Sequence, residues 1–109
     1  MRIAEIYFNG ILTGVLTELS ANEYTFRYDN EYLLNSSLPA ISLTFPKTNQ
    51  LYRSRSLFPF FFNMLSEGSN RKTQSRLLKI DENDHFGILL ATAEYDTGGA
   101  ITVKRLNNG

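Results

Sequence analysis

Ile3-Ala4-Glu5-Ile6-Tyr7-Phe8-Asn9-Gly10-Ile11-Leu12-Thr13-Gly14-Val15-Leu16 is the stretch that decides how this chain folds. Ala4, Ile6 and Phe8 alternate with Ile3, Glu5 and Tyr7, the period of two that belongs to a strand. Asn9-Gly10 stands between two apolar runs. Both residues tolerate the positive φ of a type I′ turn, so the pair predicts a tight antiparallel hairpin. Downstream, Tyr24, Phe26 and Tyr28 alternate with Glu23, Thr25 and Arg27, which gives a half-buried strand one aromatic face and one polar face. Asp29-Asn30 reads as a turn. Ile41, Leu43 and Phe45, alternating with Ser42 and Thr44 between Pro39 and Pro46, read as a fourth strand. Ile101 and Val103, with Thr102 and Lys104 facing out, make the last one.

Between these last two strands the pattern turns helical. Ser56 is placed to cap a short helix with Pro59 in its first turn, and Gly68 to stop it. Ser69 or Asn70 can cap a second helix running to about Ile80. Asp81, Asn83 or Asp84 can cap a third, in which Phe86, Leu89, Leu90 and Ala93 fall at helical spacing. Gly98-Gly99 ends that region. The final strand must return to the sheet, because alone it would leave its backbone groups unpaired. The expected fold is therefore α+β: a curled antiparallel sheet of about five strands, opened by the N-terminal hairpin, with three short helices between the fourth and last strands. Residues 1–109 form one domain, and Phe8, Phe26, Phe45, Leu89 and Val103 are expected to meet in its core.

Several chemistries are excluded by what is missing. There is no cysteine, hence no disulfide and no thiolate metal site, which fits a cytoplasmic protein. The residues after Met1 have no apolar signal core, and the longest apolar run, Leu57 to Phe62, is far too short to span a membrane. His85 is the sole histidine, so His-based triads and multi-His metal sites are out. It reads as a cap-proximal surface residue. No phosphate-binding glycine motif occurs. Asp81, Glu82 and Asp84 suit the N-terminus of a helix rather than a metal. No catalytic residue, cofactor, metal or small-molecule substrate is expected.

Net charge is zero but unevenly spread. From Lys47 to Lys79 there are seven basic residues and one acidic residue, Glu67. Lys72, Arg76 and Lys79 share one face of the second expected helix. A solvated face is the favoured reading, and a nucleic-acid-binding module using this basic stretch is the alternative.

The most unusual segment is Leu57-Phe58-Pro59-Phe60-Phe61-Phe62-Asn63-Met64-Leu65, with four phenylalanines in five positions. Phe58, Phe61 and Leu65 share one helical stripe, Phe60 and Met64 a neighbouring one, and Phe62 falls on a different side. Two readings stay open. Either the helix is buried all round, or some of its rings lie on a surface that binds another protein, where aromatics are enriched. On the second reading the candidate partner-binding residues are Phe58, Phe60, Phe62 and Met64, together with Arg76 of the basic helix.

At this segment the chain resembles the N-terminal domain of the HipA-type toxin kinases. The family pattern P-F-F-x-N-L-L-P-E-G stands here as Pro59 to Gly68, with Arg71 at the family's usual place and so added to the candidate partner surface. D-x-F-G-L-L stands as Asp84-His85-Phe86-Gly87-Ile88-Leu89, and D-x-x-G-A as Asp96 to Ala100. Upstream, Phe26-Arg27-Tyr28-Asp29 with Tyr32-Leu33 is similar to F-x-Y-D-x-x-Y-L, and Pro39-Ala40-Ile41-Ser42-Leu43 to P-[IL]-S-L. The blocks fall in family order over nearly the whole chain. Three departures stand out: Ser66 replaces a proline, Met64 a leucine, and Phe62 a residue that is usually polar. The resemblance implies a non-catalytic binding module, because the family's catalytic aspartates, metal ligands and phosphate loop lie in domains beyond this one. It implies association with a HipA-like Ser/Thr kinase core, as in split systems where a small separate protein of this kind is the antitoxin. In longer members this region also helps contact a DNA-binding antitoxin. A free-standing gene product is the expectation, and an N-terminal structural fragment of a longer kinase the alternative.

Overall fold

The structure is a computed structural model, and it describes residues 1–65, 76–77, 79–92 and 100–106. Five strands form one antiparallel sheet: β1 (Arg2–Phe8), β2 (Ile11–Ser20), β3 (Glu23–Tyr28), β4 (Leu51–Ser54) and β5 (Ile101–Arg105), in the order β4-β3-β2-β1-β5. Short helices accompany it, among them α1 (Asn30–Leu34), α2 (Pro59–Phe62) and α3 (His85–Thr92). This is the expected α+β class.

The opening hairpin forms as its sequence dictates. Asn9 and Gly10 both have positive φ, at 49° and 83°, as a type I′ turn requires. Ile6 pairs with Gly14 but Tyr7 with Leu12, so Thr13 is an extra residue bulged out of the ladder. The bulge is used, since the Thr13 carbonyl accepts the Asp29 N–H at 2.8 Å where the chain leaves β3. Beside it, Gly14 has no room for a side chain: a Cβ would collide with the Arg27 carbonyl and come within 2.9 Å of the Phe26 ring. Two strands thus close around a buried phenylalanine that a larger residue would push away.

The period-two reading of the faces holds. Ala4, Ile6, Leu16, Tyr24, Phe26, Tyr28 and Val103 are buried from the strands, joined by Phe61, Phe86 and Leu89 from the helices. Of the five residues expected to meet in the core, Phe26, Phe45, Leu89 and Val103 are buried, whereas Phe8, at the end of its strand, is only partly covered.

Two local expectations are corrected. Residues 41–45 are not a strand, and the fourth strand is Leu51–Ser54. Pro39 and Pro46 cannot donate to a ladder, and the segment's polar groups find other partners. The Ile41 N–H donates to the Tyr28 hydroxyl at 3.2 Å, that hydroxyl donates to the Phe45 carbonyl, and the Phe45 N–H closes a turn on the Ser42 carbonyl at 3.1 Å. Phe45 is therefore buried while Leu43 is 100% exposed. Asp29-Asn30 is not a simple turn either. Asp29 caps α1, its carboxylate accepting from the N–H groups of Glu31 and Tyr32, a helix that lies between β3 and β4. The basic helix expected up to Ile80 falls largely outside the described residues; of its described part, Arg76 and Leu77 are helical and exposed.

Candidate functional site

The aromatic segment starts its helix without a polar cap. Phe58, not Ser56, is the N-cap residue of α2, and it makes no side-chain cap bond. Pro59 at the first position removes one of the N–H groups that would need capping. The N–H groups of Phe61 and Phe62 donate to the Phe58 carbonyl at 3.0 and 2.9 Å, and that of Asn63 to the Pro59 carbonyl at 2.8 Å.

The stripe of Phe58, Phe61 and Leu65 is buried, as its spacing requires. Phe45 is the hub of this packing. Its ring lies 4.9 Å from Phe26, 5.1 Å from Phe58, 5.9 Å from Phe61 and 5.2 Å from Tyr52. Phe58 is 7% exposed, so it is a core ring rather than the surface residue it was expected to be. Phe60 is partly buried, edge-on to Phe45 and Phe61. Phe62 and Met64 are also partly buried at the border of the core. Arg76 is exposed, and Arg71 lies outside the described residues. Phe60, Phe62 and Met64 are thus the half-buried members of this segment, Phe60 packed against Phe45 and Phe61.

One member of this surface was not expected. The His85 ring meets the Phe62 ring with centroids 4.9 Å apart and planes at 85°. His85 opens α3, and Asp84 before it caps that helix, accepting the Gly87 N–H at 3.1 Å. Asp84 is further held by Arg2, which donates to its two oxygens at 2.7 and 2.9 Å. The same guanidinium donates to both oxygens of Glu18 at 2.8 and 2.9 Å and lies over the Phe86 ring at 5.2 Å. The Tyr24 hydroxyl donates to Glu18 at 2.9 Å. Gly87 permits this closeness, since a Cβ there would run into the Asp84 carboxylate and approach Arg2 Nη1 at 3.1 Å. The D-x-F-G block therefore has a physical meaning: a cap, a core ring and a glycine that leaves room for an ion pair.

Arg2, Glu18, Tyr24, Ser56, Leu57 and His85 line much of a surface cleft of about 460 Å³ beside this network. Among the described residues, no group of three His, Asp or Glu side chains is arranged to hold a metal ion, and no helix is long and apolar enough to cross a membrane. The arrangement clamps one helix to the sheet.

The clamp has a pH signature. Hydrogen bonds from Arg2 hold the Glu18 and Asp84 carboxyls below their ordinary values. Folded pKa values below the unfolded ones mean stability that is present above the ordinary carboxylate values and lost as pH falls below them through the folded ones. On the alkaline side, burial and the bond to Glu18 push Tyr24 up from 10.0 to about 12, so its contribution is present below 10.0 and lost as pH rises towards 12. The paired side chains retain 15–33% exposure, so solvent screening keeps the acid-side loss to about 1 kcal/mol. Urea unfolding at pH 7 and pH 3 is expected to show this loss, and Arg2→Met to diminish it. An undiminished difference in Arg2→Met would contradict the assignment.

Comparison with known proteins gives a consistent result. The family described as HipA N-terminal domain matches residues 4–104. A solved structure titled "N-terminal domain of HipA toxin" superposes with a TM-score of 0.75 at 26% identity, covering 100% of this chain and 96% of that one. An uncharacterized protein of Haemophilus influenzae is 30% identical over 104 residues, 95% of this chain and 92% of that protein. A Sinorhizobium fredii protein named "Putative kinase Y4mE" is 24% identical over 89 residues, 82% of this chain but only 21% of that protein.

Proposed function

We propose, from the premise that this chain belongs to the HipA N-terminal domain family, that it is a non-catalytic cytoplasmic binding module that associates with a HipA-like Ser/Thr kinase core and neutralises it, the antitoxin part of a split toxin–antitoxin system. One observation carries the reading. The same domain makes up most of one relative and about a fifth of a kinase-named one. A unit that makes up nearly all of one protein and a fifth of a kinase-named one is suited to docking on a separate kinase core. The residues assigned to that docking are Phe60 and Phe62 of α2 and Met64 just after it, together with Arg71 and Arg76. Partly covered aromatic rings next to a packed core offer a partner area to bury at little cost in side-chain freedom.

The test is a pull-down of a HipA-like kinase core by the tagged chain, with toxicity scored on co-expression. Binding at micromolar concentration together with restored growth is the expected result. No retention of the core, or growth arrest that the chain does not relieve, would end this reading. An electrophoretic shift of DNA by the chain alone that fades with salt would point instead to the basic stretch.

A further inference from the structure

The geometry points to Arg2 as the positioning residue of the partner surface: by clamping Asp84 it fixes the start of α3, and His85, carried on that first turn, backs the Phe62 ring. This rests on the reading that the end of α2 binds the partner, and it deepens that reading.

Four hydrogen bonds at 2.7–2.9 Å tie Arg2 to Glu18 of β2 and Asp84 at the head of α3. Asp84 is held a second time by capping Gly87. The clamp therefore joins the sheet to the residue immediately before His85. On the other side stands α2, four residues long and begun without a side-chain cap bond. Phe62, half-buried against the core at the end of this short helix, is tied to the head of α3 by its crossed contact with His85. An aromatic anchor held before binding loses less freedom when the partner arrives. Arg2 and Phe62 are thus coupled through Asp84 and His85.

His85 is the only histidine, so its imidazole signals in an NMR spectrum are unambiguous. In the wild-type chain they are displaced by the ring current of Phe62, and Phe62→Leu removes that displacement. Arg2→Met is expected to move the His85 signals most of the way to their Phe62→Leu positions in a chain that still melts cooperatively. Gly87→Ala reaches the same end from the other side, by crowding the Asp84 carboxylate and the Arg2 guanidinium apart, and Arg2→Lys serves if Arg2→Met does not fold. Unmoved His85 signals in these folded variants would overturn the assignment. Against a kinase core, Arg2→Met should weaken binding about tenfold in the wild-type background and not further in the Phe62→Leu background. Equal losses in both would mean a merely structural role and would also overturn it. Failure of the wild-type chain to bind any kinase core would sink the proposed function, while the His85 signals would still decide the positioning role.

Discussion

Phe26→Ala is expected to lower the unfolding free energy by about 3–5 kcal/mol, enough to threaten a domain whose total is on the order of 5–15 kcal/mol. The ring is fully buried in β3, within the aromatic part of the core. It lies 4.9 Å from Phe45, 5.0 Å from Tyr28 and 5.8 Å from Phe61. Its edge also fills the space left by Gly14 across the hairpin. Removing it opens a cavity that cannot collapse, because the β2–β3 ladder on one side and the hydrogen-bonded loop carrying Phe45 on the other are fixed by their own bonds. Urea unfolding monitored by circular dichroism measures the loss, and an unchanged midpoint would show that the strand faces are inverted.

A contrast of neighbours gives the second large effect. Phe61→Ala should destabilise the fold by about 3–5 kcal/mol, since its ring is fully buried among Phe26, Phe45, Phe58 and Phe60. Phe62→Ala should cost far less, because that ring is only partly covered and one of its neighbours is the half-buried His85. In binding to the kinase core the order reverses: Phe62→Ala should cost about 1–3 kcal/mol if the ring is an anchor. Melting temperature and binding affinity, measured on both variants, separate the two roles. If Phe62→Ala unfolds the chain, its ring is core and the partner surface must be sought around Arg76.

The residues that announced themselves did so through period and turn chemistry. Asn9-Gly10 could adopt few other turns between two apolar runs, and the faces of β1, β3 and β5 followed from simple alternation. Ile41 to Phe45 misled because alternation says nothing about available partners: two prolines and the Tyr28 hydroxyl drew the segment into a loop. β4 was missed because Leu51-Tyr52-Arg53-Ser54 is short and sits within a basic run. The burial of Phe61 and Leu65 followed from helical spacing. The involvement of His85 and the Arg2 clamp did not, since both depend on contacts between residues far apart in the chain. Phe58 was legible as core from its stripe, and counting it with the surface rings gave the density of phenylalanines too much weight.

The central claim, that the chain neutralises a HipA-like kinase core, is tested most directly by phosphoryl transfer. Radiolabelled phosphate incorporation by the purified core would be followed as the chain is titrated in. The expected result is a loss of activity that saturates as chain and core reach equal amounts, and that shifts to higher chain concentrations with Phe62→Ala. Undiminished kinase activity in the presence of excess folded chain would contradict the account.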